Sequence, residues 1–326
     1  MPNNHKHPLF ALGIFLLIAV ALPLIIKHSY IIRILVMIFY FAVAAYGWDI
    51  IGGYAGQVSI GQAAFFAVGA YTVALGFLTY HLSPVIGLLI GILIAGLVAL
   101  AIGAVLFRLR AAYFTLGSLA ICEIISILIL HFKDITGGPE GQVISYTGYN
   151  LHALQFTNDL PYYYIVIGLL VLAMLTSYLV GRSRLGYQLA AIRNNEAAAE
   201  SVGINLMRTK VKAFMISAAL TSMAGSFYVI YDHYIDPSST CSIDLSTKIL
   251  LIALLGGRRN IWGPLIGAIV LIPLTEVTNA TLGSVRPGAS MMLYSLVLLI
   301  VVLGAPDGLI RKLRFNRKAE PKRGLI

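Results

Sequence analysis

The chain has 326 residues, 59% of them hydrophobic and 11% charged, with a mean hydropathy of +0.88. A soluble domain carries about 25% charged residues, so composition excludes a soluble globular protein. The net charge of +10 falls mainly in short loops and the tail, as retention of Lys and Arg in the cytoplasm predicts, and no nucleic-acid partner is expected.

The length alone is compatible with two soluble domains, but apolar runs cover nearly all of it. One membrane-spanning domain is expected over residues 1–310, with a basic cytoplasmic tail at 311–326. Leu9–Ile26 is longer than a signal-peptide core and lacks a small-residue cleavage site, so it reads as a retained first span. Ile34–Ile51 follows and ends on Trp48-Asp49. Residues 52–71 then break the pattern, with Gly52, Gly53, Gly56, Gly61 and Gly69 sharing the stretch with Gln57, Ser59 and Gln62. Unpaired amides in hydrocarbon cost several kcal/mol each, so such a segment is tolerated where it faces protein or a wet cavity. Close helix packing accounts for the glycines but not for the amides.

The next runs are Phe65–Tyr80, Val85–Phe107 and Tyr113–Phe132, the last carrying Glu123 near its middle. An intramembrane acid is a functional-site hypothesis by default, set against a structural carboxylate bonded to a neighbouring helix. A polar loop at 133–160 precedes Tyr162–Val180. The loop at 182–212 differs in kind: Arg182, Arg184, Arg193, Arg208, Lys210 and Lys212 place it in the cytoplasm, and Leu185, Leu189 and Ile192 recur at helical spacing. Phe214–Tyr231 returns across the membrane to an acidic loop. Leu245–Leu255 is about 16 Å long as a helix, too short to span alone, and Gly263-Pro264 and Gly267 interrupt the run that follows. Residues 245–275 therefore read as one or two short or re-entrant helices, and Met291–Leu303 is the final apolar run. The chain is expected to be all-α, with about eight to ten membrane helices, some of them broken. One conflict remains: the positive residues at 27–33 lie outside if both flanking runs span.

No Gly-x-x-x-x-Gly-Lys-Ser/Thr loop is present and the histidines are scattered, so neither an ATP-binding loop nor a catalytic or metal cluster is expected. Asp49 and Glu276 read as structural or solvated. Cys122 and Cys241 give no disulfide framework. Interrupted helices in the two halves of a chain are the best sequence pointer to a transport path, and the breaks near 52–62 and 256–267 fit that description.

Several ordered blocks resemble one family: Gly53–Tyr71 (GYAGQVSIGQAAFFAVGAY), Thr115–Ile124 (TLGSLAICEI), Thr136–Gly141 (TGGPEG), Arg184–Ile204 (RLGYQLAAIRNNEAAAESVGI), Leu255–Ala268 (LGGRRNIWGPLIGA) and Pro306–Leu309 (PDGL). The chain resembles the LivM-type permeases, membrane subunits of bacterial ABC importers for branched-chain amino acids. The resemblance implies a multi-pass protein of the bacterial inner membrane, without cofactor or ATP site of its own. It also implies a paralogous permease subunit, two ATP-binding cassette subunits and a periplasmic substrate-binding protein as partners. It makes Arg193, Glu196, Ala197, Ala198 and Gly203 the ATPase-coupling residues, with Gly203 one position later than in the commonest importer form. The substrate path is expected at Gly53, Tyr54, Gly56, Gln57, Ser59, Gly61 and Glu123. Gln62 and Asp49 stand where the family often has histidine and asparagine, which leaves urea or a short amide as an alternative substrate; a stand-alone channel is a more distant reading.

Overall fold

The computed structural model describes residues 7–25, 28–109, 111–145, 152–282 and residue 309. The long helices are α1 (His7–Ile25), α2 (Ser29–Trp48), α3 (Gln62–Tyr80), α4 (Pro84–Leu106), α5 (Ala111–His131), α7 (Asp159–Arg182), α10 (Leu206–Asp232), α12 (Ile243–Gly256) and α13 (Gly263–Leu282). Short helices α6 (Lys133–Thr136), α8 (Arg184–Asn194), α9 (Glu196–Ser201) and α11 (Pro237–Thr240) join them. Strands β1 (Gln142–Val143) and β2 (Tyr234–Ile235) pair antiparallel across one end. Among the described residues, eight helices or helix pairs are long and apolar enough to cross a membrane. The chain is an all-α polytopic membrane protein, as expected; the run Met291–Leu303 and the tail at 311–326 lie outside the described residues.

α10 is the central post. Its 27 residues span about 40 Å as a helix, and α2, α3 and α4 pack along it, so that α2 and α10 are the most buried spans. Small residues set the approach: a Cβ on Gly225 would overlap the Phe66 carbonyl, and one on Gly69 the Ser222 carbonyl. Phe65, Phe107 and Phe114 close around Phe214 near the start of α10, with ring centroids 5.1–6.3 Å away. α4 is different. Its outer side carries Leu89, Leu93, Leu97 and Leu100, all exposed, as a lipid-facing surface should.

Two expectations about helix breaks change. Residues 263–282 form one long helix, because Pro264 falls in its first turn, where a missing N–H costs nothing, and Gly267 lies against the Ile252 carbonyl of α12. α12 is 14 residues long, and α11 precedes it after a short non-helical step, so that Pro237–Gly256 makes a single interrupted crossing. Of the positive residues at 27–33, Lys27 lies outside the described residues and Arg33 is on α2. α2 runs from Ser29 to a π-helical turn (Asp49–Tyr54) that touches α8, so Arg33 lies at the end opposite α8 and α9, sharing a cavity with Asp159 and Asp232.

Gly225→Ala is expected to destabilise the fold by about 1–3 kcal/mol, the usual cost of overpacking. Gly96→Ala, whose Cβ meets nothing within 4 Å, should stay within about 0.5 kcal/mol. Thermal unfolding in detergent reads both; an equal effect of the two would contradict the packing described.

Candidate functional site

The stretch after α2 builds a junction between the membrane interior and the α8–α9 face. α2 does not stop at Trp48 but widens into the π-helical turn of residues 49–54, a geometry that recurs at functional sites. Residues 55–61 then run without helix to Gln62, where α3 begins. Gln62 bonds Ser217 (3.0 Å) and Thr221 (3.0 Å) of α10. Ser217 lies about 16 Å along α10 from Leu206, so the irregular segment climbs from the α8–α9 face to mid-depth.

Backbone at that depth has to be satisfied by protein, and the structure shows how. The Gln57 N–H donates to the Ile51 carbonyl (3.1 Å). The Val58 carbonyl accepts from the Thr115 hydroxyl (2.8 Å) and the Ser59 carbonyl from the Trp48 indole (2.8 Å). The Ile60 N–H donates to Ser118 Oγ (2.9 Å), and the Gly61 N–H to Ser59 Oγ (3.3 Å). Thr115 and Ser118 stand one turn apart on α5 and act as a pair of polar hooks.

The lower end is fastened to the short helices. α8 is capped by Ser183, which accepts from the Gly186 N–H (3.3 Å), and α9 by Asn195, which accepts from the Ala198 N–H (3.1 Å). α9 ends at Gly203, whose φ of +85° is left-handed and favours glycine. Glu196, in the first turn of α9, accepts from Lys210 Nζ (2.7 Å) and from Gln57 Nε2 (3.3 Å) at the same oxygen, Oε1. Lys210 is buried and Glu196 half exposed. Arg193 of α8 donates to the Gly53 carbonyl (3.2 Å), and its side chain crosses Gly56, which has φ +73°. Partial burial, then the cations Arg259 and Arg258, push the Arg193 guanidinium below its ordinary value; an arginine stays protonated at neutral pH regardless.

A third element joins the same turn. Asp49 is fully buried, and both of its carboxylate oxygens accept from the Arg259 N–H (3.0 and 3.1 Å) in the bend between α12 and α13. Tyr46 donates to the Ile261 carbonyl beside it. A side chain on Gly53 would strike the Asp49 carboxylate, so this glycine permits the contact. The π-helical turn is thus held from below by α8 and α9 and from the side by the 257–262 bend.

Comparison with known sequences follows from this geometry. The family described as "Branched-chain amino acid transport system / permease component" matches residues 30–303. The chain belongs to this family. It is 30% identical to the high-affinity branched-chain amino acid transport system permease protein LivM of Escherichia coli K12 and 28% identical to that of Salmonella typhimurium, each over 94% of this chain and 75% of the relative. The ribose import permease protein RbsC of Escherichia coli K12 is 26% identical over 68% of this chain and 71% of its own length.

Within this family member, the residues singled out for a path have definite places. Gly53, Tyr54, Gly56, Gln57, Ser59 and Gly61 all belong to the junction. Ser59 and Gly61 are buried, Tyr54 bonds the Ser177 carbonyl (3.3 Å), and the open side is at Gly56 and Val58. The backbone of Val58, Ser59 and Ile60 is bonded to side chains of α2 and α5. Glu123 is elsewhere, on the exposed side of α5 between Leu116 and Ile127 and without a hydrogen-bond partner among the described residues. Ala197, Ala198 and Gly203 are exposed on α9 and its end. Sequence reasoning missed Thr115, Ser118 and Lys210 as fasteners. The signal for the first two was polar residues spaced by three on an apolar helix. Lys248, on α12 with its ammonium 5.0 Å from the Phe41 ring, was also missed. Cys122 and Cys241, distant in sequence, meet with their free thiols 4.0 Å apart.

Asp49→Ala is expected to cost about 1–3 kcal/mol, because it leaves the part-buried Arg259 N–H without its acceptor. Asp49→Asn, which keeps one acceptor oxygen, should cost less than half as much in thermal unfolding of the purified protein. Equal stability of Asp49→Ala and wild type would remove Asp49 from this junction.

Proposed function

We propose that the chain is the permease subunit of an ATP-driven importer, moving branched-chain amino acids across the bacterial inner membrane. The observation that carries the reading is the α8–α9 unit, a capped pair of helices whose Glu196 and Arg193 hold the irregular stretch between α2 and α3. ATP-binding cassette subunits dock on the exposed side of α9, at Ala197, Ala198 and the turn at Gly203. Their closure moves α8 and α9, and the grip carries the motion through Gln57 and Gly53 to α2, α3 and α5. A docking surface shifts such an equilibrium by its differential affinity for the two states, so the unit needs rigidity.

The orientation follows from charge: α8 and α9 with the 182–212 loop face the cytoplasm. The 311–326 tail, which lies outside the described residues, is assigned to the cytoplasm by its seven Lys and Arg residues. The paralogous permease subunit covers α5. Only 22% of the α5 span is buried, and it bears Glu123 on its open side, where lipid would make an acid costly. The substrate path runs between α5 and that partner, past Glu123 and the open side of the junction, with Gly53, Tyr54, Gly56, Gln57, Ser59 and Gly61 shaping its lower wall. A periplasmic binding protein delivers the amino acid.

The likeness to ribose permeases supports a second substrate class, and urea or a short amide is a third. Uptake of labelled leucine, ribose and urea by the reconstituted complex separates them; leucine is the expected substrate.

Glu196→Ala should lower uptake about tenfold while the protein stays in the membrane, because buried Lys210 loses a charged partner worth about 1.5–3 kcal/mol. Gly203→Val, straining a left-handed residue, should act in the same direction. Unchanged transport in both variants would sink the docking assignment.

A further inference from the structure

Arg33 is the residue the transport reading leaves unused. It lies at the face opposite α8 and α9, against the usual retention of positive residues on the cytoplasmic side. It borders a cavity of about 420 Å³, within the range of small-ligand clefts. Asp159 at the start of α7 and Asp232 at the end of α10 share that cavity, with Phe156, Tyr162, Tyr231 and His233 completing its wall. Neither carboxylate comes within 4.0 Å of the guanidinium. The acids are held by tyrosines instead: Tyr231 donates to Asp159 (3.4 Å) and Tyr228 to Asp232 (3.2 Å). Arg33, Asp159 and Asp232 thus line one space without forming an ion pair with each other.

A guanidinium, two carboxylates and aromatic rings lining one cavity complement a molecule that carries a carboxylate, an ammonium and an aliphatic side chain. We propose that this cavity binds an amino-acid zwitterion before it enters the membrane path. Arg33 takes the α-carboxylate in a bidentate pair, Asp159 and Asp232 take the α-ammonium, and the rings cover the side chain. The proposal rests on the amino-acid reading of transport.

The test uses the complete transporter in nanodiscs without its binding protein. Saturation-transfer NMR measures leucine, leucinamide (no carboxylate) and 4-methylpentanoate (no ammonium). Leucine should bind, and both analogues should bind at least tenfold more weakly. Arg33→Gln should weaken leucine at least tenfold and leave leucinamide unchanged, while Arg33→Lys, which keeps the charge but not the bidentate pair, should weaken leucine less than Arg33→Gln does; leucinamide binding unchanged from wild type controls for folding. Asp159→Asn should weaken leucine without affecting 4-methylpentanoate. Leucine binding equal in wild type and Arg33→Gln would overturn the site. So would an Arg33→Gln effect confined to the concentration of binding protein needed for half-maximal uptake, which would make Arg33 a docking residue. Absence of leucine uptake by the wild-type complex, with leucine still bound through Arg33, would count against the transport reading and not against the site.

Discussion

Backbone that leaves the helix inside a membrane domain must find its donors and acceptors in neighbouring side chains, and residues 55–61 find them on two helices. Trp48 of α2 and Thr115 and Ser118 of α5 take up the polar groups that helix geometry no longer satisfies. Each such group left unpaired in hydrocarbon costs several kcal/mol, so the three side chains are a condition for the break to exist. The break in turn lets one chain segment touch both the α8–α9 face and the mid-depth start of α3. A continuous helix could not do this, because its backbone would offer no carbonyl to Arg193.

The same economy of contacts explains the charges around the junction. Glu196 serves two donors from different elements at one oxygen, so α9 cannot shift without disturbing either Gln57 or Lys210. Asp49 plays the corresponding part for the bend after α12, through a backbone N–H. Short hydrogen bonds thus tie α8 and α9 to the π-helical turn and to the irregular segment that α2 and α5 hold.

Much of this was legible in the sequence. The apolar runs gave the spans, the polar glycine-rich stretch at 52–62 marked the break, and the helical spacing within the basic loop marked α8. What escaped was the direction of individual side chains. Gln57 and Ser59 were polar in an apolar context, and the chain alone could not say whether they faced a path or another helix; Gln57 faces Glu196, and Ser59 folds back on Gly61. Glycine and proline near 263–267 looked like breaks because their partners, a first helical turn and the Ile252 carbonyl, lie in geometry that composition does not encode. Arg33 and Asp159, more than a hundred residues apart, met only in the fold.

The central claim is that the irregular segment moves with α8 and α9 as one body. Double electron–electron resonance between spin labels at Val58→Cys and Val202→Cys, both exposed positions, tests it in the reconstituted complex with and without ATP. The distance between the labels should stay within about 2 Å while the transporter changes state, the scale of a packed helix adjusting in place. A change of about 5 Å or more, the scale of a one-turn ratchet, would show that the grip releases and would contradict the account.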